Sequence, residues 1–301
     1  KGTVQINLNN IIGGVDNAGY GWQMLMECLA VGRGVSLPAS ANGSAKTGTY
    51  AMLNYIQHRK QFNIPIGNME GVREKFINMF LNTWIINASV YHTNYILDSG
   101  VTPSVITAIM KQQTTERARK ILLDGMDIYA GSAICKGPNN LFSKFYNASP
   151  VGITVEGSNT LTRSLIIFGQ GLNKSHPYIY NIFDSVQTNN LDKFKINFNN
   201  MLKFVSKNYT KSITPNNNRL ERLTYKLSNL ANFVALLGGQ IKSKQMISGA
   251  MADILSNLYL CYSILWYHNN FCSQELSLVQ QNCINYLCSD IETKINYVID
   301  N

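Results

Sequence analysis

The sequence predicts an all-α fold, and three observations predict it. Apolar residues recur at three- and four-residue spacing through most of the 301 positions. The stretches so marked are long and joined by short loops, as in an up-and-down bundle. Glycine and proline fall mostly at the ends of those stretches, where helices stop and start. The exception is TVQINLNNII (3–12), whose apolar residues alternate at positions 4, 6 and 8 and read as a strand.

From that strand the chain passes through GGVDNAGYG (13–21). The loop is rich in glycine but lacks nucleotide-binding spacing and reads as a flexible link. Residues 22–36 carry Trp22, Leu25, Met26, Leu29 and Val31 at helical spacing, and Arg33 sits between Gly32 and Gly34. Pro38 is expected to bend or interrupt this helix, with a second segment continuing to about His58. After the loop RKQFNIPIG (59–67), residues 69–98 predict a long amphipathic helix with Met69, Val72, Phe76, Met79 and Phe80 on one face. Gly100 is its expected C-cap. Thr102, with Pro103 behind it, is expected to cap a helix running to about Tyr129. His92 reads as a packing residue. HP at 176–177 marks a break, and residues 176–301 hold four further helical patterns. These include Arg219–Leu237 before Gly238-Gly239, a buried core helix from Gln245 to about His268, and a last helix from about Gln274 to Val298.

Lys and Arg number 26 against 17 Asp and Glu, a formal charge of +9 that suggests an anionic partner: nucleic acid, a membrane surface or a phosphate-bearing small molecule. The basic residues are scattered, and Lys193, Lys195, Lys203, Lys207 and Lys211 follow the spacing of a solvated helix face, so nucleic acid is not expected. Hydrophobic content of 45% and 16 tyrosines exclude global disorder. The six cysteines form no CxxC pair and no metal-type spacing with the four histidines. They read as reduced thiols in a cytosolic chain, and no metal site is expected. No secretory signal opens the sequence, and no apolar run is long enough to span a bilayer. The abrupt, strand-like start leads us to expect a portion of a longer protein.

One stretch gathers candidate chemistry. SPVGITVEGSNTLTR (149–163) sets a single carboxylate, Glu156, between a β-branched apolar run and Gly157. Ser158 can cap the helix that follows. A carboxylate held by backbone on both sides suits a general base, although a Glu opening a helix also answers the helix dipole.

Four stretches together resemble the acyl-CoA dehydrogenase family, specifically the long bacterial fatty-acyl-CoA dehydrogenases with a C-terminal helical extension. They are GYGWQMLMECLAVGRGVSLP (19–38), YIQHRKQFNIPIGNMEG (55–71), ILLDGMDIYAGSAICKGPNN (121–140) and ITVEGSNTLTRSLIIFGQG (153–171). LGGQIKSKQMISGAMADILSNLYL (237–260) also looks like that subgroup. The resemblance implies the end of a β-domain and a linker over 1–21, a C-terminal four-helix-bundle domain over 22–175 and the extension over 176–301.

It also implies an activity: FAD-dependent dehydrogenation of a fatty acyl-CoA to the trans-2-enoyl-CoA. Glu156 then stands where the family keeps the base that removes the α-proton. Relatives that carry the base just before the first-helix arginine have no counterpart here, because that residue is Gly32. Arg33 and Gly157 match positions beside the acyl-CoA. Arg59 and Phe62 match a pair that grips FAD, commonly across a subunit interface. Asp127, Ala130 and Gly131 fall where backbone approaches the ADP part of FAD, Asp127 and Ala130 departing from the Gln and Gly of shorter relatives. Ser158 and Thr160 match positions lining the cofactor. The implied partners are acyl-CoA, an electron-transfer flavoprotein or similar acceptor, and further copies of the chain. The implied location is cytoplasmic, peripheral to the inner membrane. The alternative is a non-catalytic helical interaction module derived from that fold.

Overall fold

The computed structural model describes residues 2–101, 103–172, 176–215 and 217–301, and among them helix dominates. Three long helices come first: α1 (Gly21–His58), α2 (Glu70–Asp98) and α3 (Ser104–Tyr129). The short α4 (Gly131–Ile134) and α5 (Ser143–Thr154) follow. α6 (Asn159–Leu161) then passes directly into a π-helical segment, Thr162–Gln170. The remaining helices are α7 (Ile179–Gln187), α8 (Leu191–Ile213), α9 (Arg219–Ala235), α10 (Gln245–Phe271) and α11 (Ser277–Asp300).

The all-α expectation holds, but the strand expected at 3–12 does not form. Residues 2–7 have no regular structure, and Leu8–Asn10 and Val15–Asn17 are single 3-10 turns. A strand needs a ladder partner, and no second strand among the described residues pairs with this segment, so Val4, Ile6 and Leu8 stay exposed. Strand structure among the described residues is confined to the loop after α1. There β1 (Lys60–Gln61) pairs antiparallel with β2 (Ile64–Pro65). The two-residue turn between them holds Phe62 and Asn63 at φ 50° and 62°, both left-handed, as a tight hairpin demands.

Pro38 does not break α1, which runs through it. Gly34, four residues earlier, lies so close to α3 that a Cβ there would meet Thr107 Cγ2 at 2.5 Å. α2 ends where expected, with Gly100 at φ 84° and its N–H donated to Leu97 O. The expected cap of α3 at Thr102 lies outside the described residues, and Pro103 holds the cap position. The expected helix face of Trp22, Met26, Leu29 and Val31 lies outside the described side chains. The first pattern after residue 176 resolves into two helices, α7 and α8, separated by a turn with Asn189 at φ 49°. His176 organises that start: its Nδ1 accepts the N–H groups of Tyr178 and Ile179, and its Nε2 meets Asn232 Oδ1 at 3.0 Å. Asn218 and Glu221 form a reciprocal capping box at the start of α9.

Two cores share α2 as a wall. The first packs Ala45 and Met52 of α1, Met79 and Ile86 of α2, and Met110, Ile121 and Leu122 of α3 around Phe142. The second joins Ile85 and Ala88 of α2, Ile109 of α3, and Ile167 and Phe168 of the π segment to residues of α9, α10 and α11 such as Leu223, Met251, Ile254, Leu287 and Ile291. The single apolar face expected on α2 is therefore too narrow, and Phe80 from that face is 37% exposed. His92 packs as expected, stacked on Tyr259 and Trp266 with Nδ1 2.9 Å from Ser263 Oγ. No described helix is long and apolar enough to cross a membrane.

Candidate functional site

The turn between α5 and α6 carries Glu156 and bends sharply, with Glu156 at φ 56° and Gly157 at φ 93°. A non-glycine residue in that region stores backbone strain, which its surroundings must hold in place. A Cβ on Gly157 would lie 3.2 Å from Thr162 Oγ1, so glycine suits both the angle and the space. Ser158 caps α6 as expected, its Oγ accepting from Leu161 N at 3.3 Å.

The holding groups come from α3. Lys111 has no exposed surface, and its Nζ donates to Gly157 O at 2.5 Å and to Asn159 Oδ1 at 2.8 Å. Asn159, itself buried, donates through Nδ2 to Thr115 Oγ1 (3.0 Å) and Glu116 Oε1 (2.9 Å). Glu116 in turn accepts from Arg119 at 2.8 Å. From α1, Arg33 enters the same neighbourhood: it is 5% exposed, donates to Ser104 O at 3.3 Å and leaves Nε without a hydrogen-bond partner.

Burial pushes the Arg33 guanidinium below its usual range, and the Glu156 charge pulls it back up. The Lys111 amine is likewise lowered by burial and raised by Glu156. Two buried cations therefore face one carboxylate that is itself exposed, with no ion-pair partner within 4 Å among the described residues. Thr160 and Ser158 are exposed beside it. Such a carboxylate, on a turn held from beneath and open to approach, is placed as a proton acceptor must be.

A second group assembles at the opposite end of α3. A pocket of about 490 Å³ is lined by Arg59, Tyr129, Ala130, Gly131 and Ser132, with Tyr55 and Ile66 below. Ala130 adopts φ 53°, ψ −134°, a strained conformation for alanine. Tyr129 is fixed by an edge-on contact with Tyr55 (centroids 4.6 Å) and by its hydroxyl donating to Asn139 O at 2.7 Å. Among the described residues the Arg59 guanidinium makes no ion pair or hydrogen bond. Phe62 stands at the hairpin tip, 89% exposed. The structure thus brings Arg59, Ala130 and Gly131 together, with Phe62 projecting nearby on the same hairpin. Asp127 does not line the pocket: it is largely exposed and pairs with Lys75 at 2.5 Å.

Sequence reasoning missed Lys111 and Asn159. What marks Lys111 is its surroundings in α3, where Thr107 to Thr115 are all buried and Lys111 is the one charge among them. A lone lysine inside a fully buried helical stretch must find fixed acceptors.

Comparison with known proteins gives two family matches. A model described as Acyl-CoA dehydrogenase, C-terminal domain, matches residues 19–169. Another, described as Acyl-CoA dehydrogenase, C-terminal, bacterial type, matches residues 214–301. Over 148 residues the chain is 27% identical to the acyl-CoA dehydrogenase of Bacillus subtilis (strain 168), covering 49% of this chain and 38% of that protein. A 48-residue stretch, 16% of this chain and 28% of its relative, is 48% identical to Protein HemX of Proteus mirabilis. The fold is shared with a Bacillus anthracis acyl-CoA dehydrogenase solved in complex with FAD, at TM-score 0.70 and 19% identity, over 93% of this chain and 50% of that one. The chain thus spans half or less of the length of these relatives.

Proposed function

The chain belongs to the acyl-CoA dehydrogenase family, and on that premise we propose that it serves the FAD-dependent dehydrogenation of a fatty acyl-CoA to the trans-2-enoyl-CoA, a step of fatty-acid β-oxidation. The observation that carries this reading is the Glu156 turn: one accessible carboxylate at φ 56° over two buried cations. Glu156 takes the proton from the carbon beside the thioester carbonyl. That proton is too weakly acidic for an unaided carboxylate, so the carbonyl oxygen must be polarised as charge develops on it. Arg33 and Lys111 contribute positive potential to the same place, and Gly157 leaves room for the thioester. FAD, when bound, supplies the acceptor for the hydride that leaves the neighbouring carbon. The pocket at the end of α3 fits the diphosphate and adenosine part of such a group, because Arg59, unpaired among the described residues, borders the bare backbone of Ala130 and Gly131.

Lys111 and Ala130 are 19 residues apart on α3, about 28 Å at the helical rise. That separation suits two flavins better than one, and with it a second copy of the chain whose flavin reaches Arg59 and Phe62. Ser158 and Thr160 would then line the flavin served by their own Glu156. Electrons would pass on to an electron-transfer flavoprotein or similar acceptor. A cytoplasmic location against the inner membrane is consistent with α8, which exposes Leu191, Phe198, Leu202, Tyr209 and Ile213 at seven- and four-residue spacing beside Lys203 and Lys207.

The test is Glu156→Gln in the flavin-loaded full-length protein. The amide keeps the size of the side chain but cannot accept the proton. Flavin should stay bound, while bleaching by a saturated acyl-CoA falls at least about 1,000-fold. Bleaching at the original rate would remove the base assignment. The exposure of both Glu156 and Phe62 also suits a non-catalytic interaction module. Such a module would purify colourless from the full-length gene and would not bleach.

A further inference from the structure

We propose that Lys111 is a positioning residue for the Glu156 base: its buried side chain clamps the turn from below and holds a fixed positive charge under the carboxylate. The proposal rests on the reading of Glu156 as the base and adds a group that does not touch substrate. Three observations carry it. Lys111 is fully buried, and burying an ammonium group is costly unless acceptors are built for it. Its acceptors are Gly157 O, one residue after Glu156, and Asn159 Oδ1, three residues after it. The turn it clamps is strained at both Glu156 and Gly157, and strained backbone persists only where neighbours over-determine it.

Asn159 extends the clamp. Its carbonyl oxygen accepts from Lys111 while its amide donates to Thr115 and Glu116, both on α3. The segment after Glu156 is therefore fixed to one face of α3 through four hydrogen bonds that share two side chains. Among the described residues, the charged groups of this neighbourhood are Arg33 from α1 and Lys111 and Glu116 from α3. Arg33 and Lys111 each interact electrostatically with Glu156, and the Glu116 charge is paired with Arg119 at 2.8 Å.

Lys111→Met tests this, because methionine fills the space of the lysine shaft and removes only the charged end. In the flavin-loaded full-length protein, the rate of bleaching at saturating acyl-CoA should fall about 100-fold, the cost of a small misplacement of a reacting group. KM should stay within about threefold, because substrate binding is not the function removed. Amide hydrogen exchange over residues 153–161, followed by mass spectrometry, should quicken while α3 stays protected.

A lysine that only stabilises the fold would lower the melting temperature and leave the bleaching rate at saturating acyl-CoA in place. Flavin-loaded Lys111→Met with the original rate and exchange would overturn the proposal. If that variant does not fold, Asn159→Ala takes its place, keeping the cation but removing three of the clamp's four hydrogen bonds. It loses the hydrogen bonds to Lys111, Thr115 and Glu116, and should slow bleaching at least about tenfold and quicken the same exchange. Unchanged rate and exchange in Asn159→Ala would equally overturn the proposal. If Glu156→Gln is inert while Lys111→Met behaves as the parent, only the positioning role falls. If Glu156→Gln still bleaches, the base reading itself falls.

Discussion

Beneath Glu156, Lys111, Asn159, Thr115 and Glu116 satisfy one another within a single chain. At the other end of the same helix the groups reach outward: Arg59 has no partner among the described residues, Phe62 is 89% exposed, and Ala130 is held in a strained conformation at the mouth of an open pocket. Both places use left-handed backbone at non-glycine positions, so strain alone does not separate them. What separates them is where the compensation lies. The turn is held by buried contacts already made and is aligned before any ligand arrives, the preorganised condition that base catalysis rewards. Among the described residues the pocket keeps its strongest donor, Arg59, unused, so its compensation must come from a molecule that settles there.

If that contrast is right, the pocket should lose ligand and the turn should not when Arg59 is changed. Arg59→Ala should weaken flavin retention about tenfold or more, the worth of a charge-assisted hydrogen bond to phosphate. The flavin-to-protein ratio after gel filtration measures it, and an unchanged ratio would make Arg59 a mere surface cation. A smaller effect probes the strain. Ala130→Gly should stabilise the fold by about 1 kcal/mol, since glycine tolerates φ 53° at little cost. A lower urea midpoint would instead mean that the Ala130 methyl packs usefully.

The smallest effect lies outside both places and sets a baseline. His176 accepts two backbone N–H groups through Nδ1, which it can do only while that nitrogen is unprotonated. Burial holds the pKa of His176, and of His92, below the usual histidine value. The unfolded chain therefore takes up protons first. The stabilisation is intact above about pH 6.5 and is lost as pH falls through the lowered native values. Urea unfolding at pH 7 and pH 5 should show the lower midpoint at pH 5, and His176→Ala should shrink the difference.

Much of the helical frame was legible. α2, α3, α9, α10 and α11 carry long 3.6-residue patterns, and Gly100 after α2 and Ser158 before α6 mark helix ends by chemistry that needs no tertiary context. The strand at 3–12 was misread because alternation records only which residues are apolar, not whether a partner strand exists. Pro38 was overweighted as a break, because packing along α1 outweighs one lost backbone hydrogen bond. Of the candidate site, Glu156, Arg59, Ala130 and Gly131 fell within stretches that stand out in the sequence, whereas Asp127 turned to Lys75. Lys111 was hidden for a different reason: nothing within its own helix shows that Gly157 and Asn159, more than 40 positions later, return to meet it.

One consequence follows from α2 serving two cores. Asn87, on that helix, accepts from Asn42 of α1 and donates to the Tyr267 hydroxyl of α10. Ile85 and Ile86 are adjacent yet belong to opposite cores. A gene shortened to end near residue 170 would leave a long helix greasy on its outer side, with water where α10 and α11 had been. The later helices therefore act as permanent cladding for the earlier ones, and an ancestor could have shed them only by first repainting the rear of α2 in polar residues.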